Sequence, residues 1–411
     1  MAATAAIDTP IPSTPDHPLR NRNFRLLWMG NTVSWMGDQF YLVALPWLIL
    51  QTVSSSVALG TIMMAAAIPR GVLMLMGGAL SDRVSPRKIM IATAWARTVL
   101  VAAVGVLVWL HATQLWQLFI LAFAFGSADA FYAPAAQKFT PSLVKPEQLP
   151  AANSVSQGTL QITSLVGPAP AGLVIKALGT AWAFLIDAVS FLFILAALAR
   201  LPDPPPTQSA SAKKSVWSSI VEGLKYVNDD VALRSLMVVA AGLNFCLLGP
   251  LSIGLAWMAK MQFGTPVALG VLSSVVAAGS LLGMVLAGLR KARRRGYLLL
   301  AVSVVIAICA AMVGVFHHLW SVAGTLFVMA TAAGFLNVQL VSWFQQRVER
   351  AVLGRVMSVM MFAGVGLAPV SVAVAGVAVK WSLPGMFLAA GCLMLLVTLL
   401  AATHRPVREI D

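Results

Sequence analysis

The sequence predicts an all-α membrane protein of twelve transmembrane helices in two pseudo-symmetric six-helix bundles. Three observations predict it. Apolar residues make up 59% of the 411-residue chain and charged residues 10%, against about 25% charged in soluble domains. The apolar residues gather into runs near the roughly 20 residues that cross about 30 Å of hydrocarbon. Basic residues collect on alternate connections between those runs.

The elements follow in order. Residues 1–27 are expected to be a cytoplasmic tail: Met1 to Pro18 is polar and carries Pro10, Pro12 and Pro15. The first apolar run is too long for the core of a cleavable signal. The N-terminal bundle, residues 28–200, takes spans 28–51, 57–80, 89–111, 114–136, 153–176 and 178–200. Residues 201–234 form a cytoplasmic linker, opened by Pro202, Pro204, Pro205 and Pro206. Val216, Ile220, Val221 and Leu224 then recur at helical spacing, which suits either an amphipathic helix on the membrane surface or a solvated linker helix. The C-terminal bundle, residues 235–403, takes spans 235–257, 267–289, 297–317, 319–342, 356–379 and 384–403, and 404–411 is a cytoplasmic tail. Lipid offers no hydrogen bonds, so each span must satisfy its backbone internally as a helix.

Of the 28 Lys and Arg, 23 fall on one set of alternate connections, three (Lys176, Lys260, Lys380) on the other, and two (Arg70, Arg97) within spans. The positive-inside rule then puts both termini in the cytoplasm, with the chain in the cell (inner) membrane. The net charge of +14 is accounted for by these loops, and no nucleic-acid partner is expected. Cys246, Cys309 and Cys392 lie inside apolar runs, with no disulfide or metal spacing. The halves echo one another: Asp38 precedes Asn244 by 206 residues, and Gly126 and Asp129 precede Gly334 and Asn337 by 208. Parallel six-span repeats are a transporter architecture with the site between the halves.

Charges inside spans cost roughly 3 kcal/mol each on insertion scales and are functional candidates by default. Asp38 and Arg70 each lie ten residues from the basic end of their spans, about 15 Å deep at 1.5 Å per residue. They are expected to interact directly or through water, either as a proton-driven switch or as a static structural pair. Arg97 and Asp129 match at about 12 and 10 Å. Asp187 has no partner at its expected depth, and a buried, protonated structural role is expected for it ahead of a coupling site. An enzyme is not expected: there is no phosphate-cradling Gly-x-x-x-x-Gly-Lys loop, His-Glu-x-x-His or Gly-x-Ser-x-Gly. A channel would want rings of like polar residues, which a single chain of this pattern lacks.

Gly78-Ala79-Leu80-Ser81-Asp82-Arg83 with Arg87-Lys88 resembles the signature loop of the major facilitator superfamily. Ser85 and Pro86 depart from its usual Gly and Arg. Asn21 to Trp28, Gly37-Asp38, Pro69-Arg70, Asn153-Ser154, Gly167-Pro168, Ile186-Asp187 and Gly354-Arg355-Val356 resemble its exporter branch, which includes enterobactin exporters and macrolide efflux proteins. The resemblance implies the major facilitator fold and proton-coupled efflux of small amphipathic molecules by alternating access. It implies no cofactor beyond a proton gradient, and a monomer in the bilayer. It implies Gly78, Asp82, Arg83, Arg87 and Lys88 as an inner-gate motif, with Asp82 meeting the start of span 11, and joins Arg97 and Asp129 to the gate network. Asn31, Gln39, Tyr41, Asn244, Asn337 and Gln339 become cavity candidates, with aromatic walls from Trp35, Phe40 and Phe245. Gly167, Pro168, Pro170 and Gly172 would make span 5 a flexing helix or a packing kink. Lysophospholipid flipping and a non-transporting sensor or scaffold are the alternative functions.

Overall fold

The computed structural model describes residues 17–81, 84–203, 224–289 and 294–410. Asp82, Arg83 and most of the expected amphipathic segment lie outside the described residues; 224–229 is helical. The first half comprises α1 (Arg22–Thr52), α2 (Ser56–Leu80), α3 (Pro86–Trp109), α4 (Leu115–Phe139), α5 (Leu149–Val166), α6 (Pro168–Leu178) and α7 (Thr180–Ala199). The second comprises α8 (Val231–Gly249), α9 (Pro266–Leu289), α10 (Arg295–Val313), α11 (Leu319–Arg347), α12 (Arg350–Trp381), α13 (Leu383–Thr403) and the short α14 (Arg405–Arg408). Among the described residues, eleven helices are long and apolar enough to cross a membrane, and α12 adds a shorter apolar stretch, Gly366–Trp381.

The helix starts explain why several spans run longer than expected. Asn21 caps α1, its Oδ1 accepting from the backbone N–H groups of Asn23 and Phe24 at 2.9 and 3.3 Å, so the helix begins before its apolar run. Asp230 caps α8 in the same way, accepting from Ala232 at 2.8 Å and Leu233 at 3.2 Å. The fifth span is broken at Gly167, because Pro168 and Pro170 remove backbone donors. After α8 the chain widens into π-type turns over Pro250–Gly254 and Met258–Gln262. There the Ser371 hydroxyl from α12 enters the helix ladder. It donates to the Phe245 carbonyl at 2.6 Å and accepts from the Gly249 N–H at 2.8 Å. A side chain wedged between residues four apart is a recognised cause of a bend.

Within the first half, α2 packs along α4, and α7 along both α1 and α3; in the second, α9 packs along α11 and α10 along α13. The repeat seen in sequence has physical counterparts. A Cβ on Gly126 would lie 2.1 Å from the Ala66 carbonyl oxygen of α2, and one on Gly334 would lie 2.3 Å from the Ser280 carbonyl oxygen of α9. Each fourth span therefore rests on its own half's second span through glycine, as small residues allow in membranes. The capping residues repeat too. Asn21 Nδ2 donates to the Leu143 carbonyl at 2.6 Å, beyond α4, and Asp230 Oδ2 accepts from Arg347 at 3.0 Å, at the end of α11.

The halves meet where α2 faces α12 and where α5 and α6 face α9. The tightest contacts lie at the helix ends remote from the basic loops. Gly60 lies against Gly376, where an added Cβ would be 3.1 Å from the opposing Cα, and a Cβ on Gly270 would lie 2.3 Å from the Pro168 carbonyl oxygen. On the same face, the Lys260 ammonium stands 4.8 Å from the Trp47 ring centroid, a cation–π contact across the halves. One further contact, Gln161 Nε2 with Met284 Sδ at 3.3 Å, lies nearer the basic face.

Partial burial raises the Asp230 carboxyl's pKa, but the Leu233 N–H, Arg347 and the Ala232 N–H outweigh it and hold it below the usual aspartate value. Its stabilisation is present above about pH 4 and is lost as the pH falls through the lowered value. Asp230→Ala is expected to cost about 1 kcal/mol for the cap plus up to about 0.5 for the exposed ion pair. Asp230→Asn should keep the cap and lose only the second part. Thermal unfolding in detergent across acidic pH checks this: the wild-type advantage should shrink below about pH 4.

Candidate functional site

Four ionisable side chains from four helices, two acidic and two basic, alternate along one chain in the first half. The Asp38 carboxylate of α1 pairs with Arg97 Nη2 of α3. Arg97 Nη1 lies 3.5 Å from Asp129 Oδ1 of α4, and Asp129 Oδ2 lies 3.0 Å from Arg70 Nε of α2. The sequence Arg70–Asp129–Arg97–Asp38 is therefore neutral as a unit, which lets it exist inside a membrane. Exposure falls from Arg70, 63% exposed, to Arg97 at 5%.

An aromatic collar holds the Arg97 guanidinium. Its Cζ lies 4.3 Å from the ring centre of Phe191, 5.2 Å from Phe125 and 5.6 Å from Tyr132. Tyr41 stacks on Phe125 at 4.3 Å, and the Tyr132 hydroxyl donates to Asn31 Oδ1 at 2.6 Å. A cation held against ring faces away from water gains more than one at the surface, on the order of 2 kcal/mol. Arg97 Nε is buried and, among the described residues, has no hydrogen-bond partner.

The pairing differs from the expected one. Asp38 was expected to meet Arg70, and among the described residues the two form no ion pair; they are joined only through Asp129 and Arg97. The expected Arg97–Asp129 contact is present. The physical reason is azimuth: α2 lies along α4 and turns Arg70 to Asp129, while Arg97 reaches across to α1. Depth can be counted along a sequence, but the direction a residue faces depends on which helices pack together. Asp187, expected to have no partner at its depth, lies beside Gly37, the residue preceding Asp38.

The other expected positions are distributed as follows. Asn31, Gln39, Tyr41 and Gln339 are buried among packed helices rather than lining open space. Gln39 packs on Gly167, where an added Cβ would lie 2.5 Å from its Cγ, and Gln339 Nε2 donates to the Ala287 carbonyl at 3.4 Å. Asn244 is half-buried and donates to Ala240 of its own helix at 3.0 Å, and Asn337 is exposed. Of the loop motif, Gly78 is in α2 and Lys88 is exposed on α3. Arg87 closes the end of α7, donating to the carbonyls of Leu198 at 2.7 Å and Ala199 at 3.1 Å, where a cation also meets the negative end of the helix dipole. Ser85, one of the departures from the usual motif, donates to Asp203 at 3.0 Å. That hydroxyl, with Arg87, holds the Asp203 carboxyl below its usual range. Gly172 packs on the Pro266 carbonyl of α9, so the broken span 5 lies against the other half.

Sequence reasoning passed over Phe125, Tyr132 and Phe191. Spacing held the signal. Phe125, Asp129 and Tyr132 follow at intervals of four and three on α4, and Asp187 and Phe191 at four on α7, so each set shares one helix face.

The described helices make a multi-pass membrane protein whose first half holds a chain of four charges. The family model described as transmembrane secretion effector matches residues 13–411, and the chain belongs to that family, within the major facilitator transporters. It is 27% identical over 394 residues to the multidrug efflux pump Tap of Mycolicibacterium fortuitum, covering 91% of this chain and 94% of the relative. It is 24% identical over 402 residues to macrolide efflux protein A of Streptococcus pyogenes, covering 94% and 97%. A crystal structure of the nucleoside transporter NupG superposes with a TM-score of 0.74 at 12% identity, covering 93% and 99%. That of a bacterial homologue of ferroportin in an inward-facing state does so at 0.66 and 16%, also covering 93% and 99%; these likenesses concern the fold.

The charge chain gives an ordered expectation for truncation. Arg97→Ala removes the buried partner of two largely enclosed carboxylates and is expected to cost on the order of 3–5 kcal/mol. Arg70→Ala, at the exposed end, should cost about 1 kcal/mol or less. Thermal unfolding of the purified variants in detergent gives the ranking, and equal losses would contradict it.

Proposed function

We propose that the chain is a proton-coupled exporter of small amphipathic molecules, working by alternating access with both termini in the cytoplasm. The carrying observation is the neutral ion chain that ends at Asp38. Of its two carboxylates Asp38 is the more exposed, 24% in its side chain against 16% for Asp129, and so is the better placed to exchange a proton with water. Protonation there would leave Arg97 with one carboxylate instead of two, an electrostatic change of several kcal/mol at low dielectric. Such a change is large enough to shift a balance between two packings of the halves.

Several observations support the rest of the reading. The halves meet most tightly through glycines on the face remote from the basic loops, which under the positive-inside rule is the outer face. Lys260 on Trp47 adds a breakable contact there. The second half carries no acidic residue within its spans, which suits neutral or cationic substrates held by apolar walls. Two of the similar proteins are named as efflux proteins.

Reconstituted vesicles with an imposed pH gradient test this. Wild type is expected to move lipophilic cations or macrolides against their gradient. Asp38→Asn, which keeps shape but cannot ionise, is expected to bind substrate yet lose gradient-driven movement by at least about tenfold. Unchanged gradient-driven export in that variant would remove Asp38 from coupling. Movement of fluorescent lysophospholipid in place of drugs would identify a flippase instead.

A further inference from the structure

Asp187 is wholly buried on α7. Its Oδ1 accepts from the Ser190 hydroxyl at 3.3 Å, but that hydroxyl lies nearer, 2.7 Å, to the Asp187 backbone carbonyl. Among the described residues its Oδ2 has no hydrogen-bond partner and the side chain forms no ion pair. An ionised carboxylate in such a place would cost several kcal/mol.

The surroundings say what this carboxyl faces. Gly37 of α1 lies directly on it: a Cβ there would stand 2.0 Å from Ser190 Oγ and 2.7 Å from Asp187 Oδ1. The missing side chain thus lets α1 bring Asp38 alongside. One turn along α7, Phe191 carries the Arg97 guanidinium on its ring. The titratable and charged groups toward Asp187 are Asp38 and Tyr41 from α1 and Arg97 from α3. The remaining neighbour, α6, offers only Lys176, exposed at its far end. Among the described residues two buried polar atoms of these interacting side chains are left without a hydrogen-bond partner, Asp187 Oδ2 and Arg97 Nε. Arg97 uses Nη2 on Asp38 and Nη1 on Asp129, and its Nε–H is a buried donor free for a further acceptor among the described residues.

We propose that Asp187 is the second proton-carrying carboxyl of the coupling site and the alternative partner of Arg97. With Arg97 on Asp38, Asp187 holds a proton on Oδ2 and is neutral. In the exchange, the O–H bond at Asp187 breaks and one forms at Asp38, while the guanidinium passes from Asp38 to Asp187. Proton and cation change places and the net charge of the compartment is constant, so no bare charge is created in the membrane. Asp38, nearer water, then releases or receives the proton. The proposal rests on the proton-coupling reading above and adds a reservoir to it.

Infrared difference spectroscopy of the purified protein, paired with vesicle transport, tests it. The wild type is expected to show the carbonyl stretch of a protonated carboxyl at neutral pH, shifting on deuteration. The band should be absent in Asp187→Asn and lost or weakened in Asp38→Asn, whose neutral amide leaves Arg97 to an ionised Asp187. Asp187→Asn should bind and exchange substrate, yet lose gradient-driven export by at least about tenfold. Should that variant fail to fold, Asp187→Glu replaces it, and the band must then move in frequency. A wild type that exports on a pH gradient but shows no such band overturns the proposal alone. So does a band unaltered at either substitution, or an Asp187→Asn variant with wild-type gradient-driven export. A wild type that exports independently of the gradient fails the coupling reading, and the proposal falls with it.

Discussion

A guanidinium buried between two carboxylates inside a membrane governs the first half of this molecule. Arg97 needs its partners, because an unpaired ion there would not be tolerated. Its partners come from α1 and α4, and the second carboxylate reaches Arg70 on α2. One electrostatic requirement therefore fixes the mutual placement of four helices. The aromatic rings around Arg97 and the stacking of Tyr41 on Phe125 follow from the same need, since they exclude water from the cation.

The two halves share a backbone plan but not a chemistry. Capping residues, glycine contacts between second and fourth spans, and the lie of equivalent helices all repeat. The charges do not: where the first half has Asp38 bound to arginine, the second has Asn244 bound to its own helix. The second half instead carries backbone irregularity, with π-type turns and the Ser371 wedge. The charges thus gather in one half and the backbone irregularity in the other, with glycine-lined contacts joining the two at one face.

Much of this was legible in the sequence. Apolar run length and the basic loops located the spans; helix ends differ from the expected ones at α1 and α8, where Asn21 and Asp230 supply caps outside the apolar windows, and also at the end of α11 (Arg347) and the start of α12 (Arg350). The five intramembrane charges were found because such residues are costly. Their partners were not all found. Asp38 was matched to Arg70 by depth, and the structure gives it Arg97, because α2 turns toward α4. Polar residues such as Gln39 and Asn31 read as cavity walls, yet Gln39 packs on Gly167 and Asn31 accepts from Tyr132. Facing direction is a property of packing, and one sequence states it only where spacing repeats, as for Phe125, Asp129 and Tyr132.

The most direct test of the central claim is a distance measurement across the face remote from the basic loops. Spin labels at Ser54 and Ser382, both exposed there, would be introduced after replacing Cys246, Cys309 and Cys392, and read by pulsed electron resonance. If the ion chain sets the balance between packings, acid should lengthen the distance. Asp38→Asn should then hold the acid distribution already at neutral pH. A distribution that answers to pH alike with and without Asp38 would contradict the account.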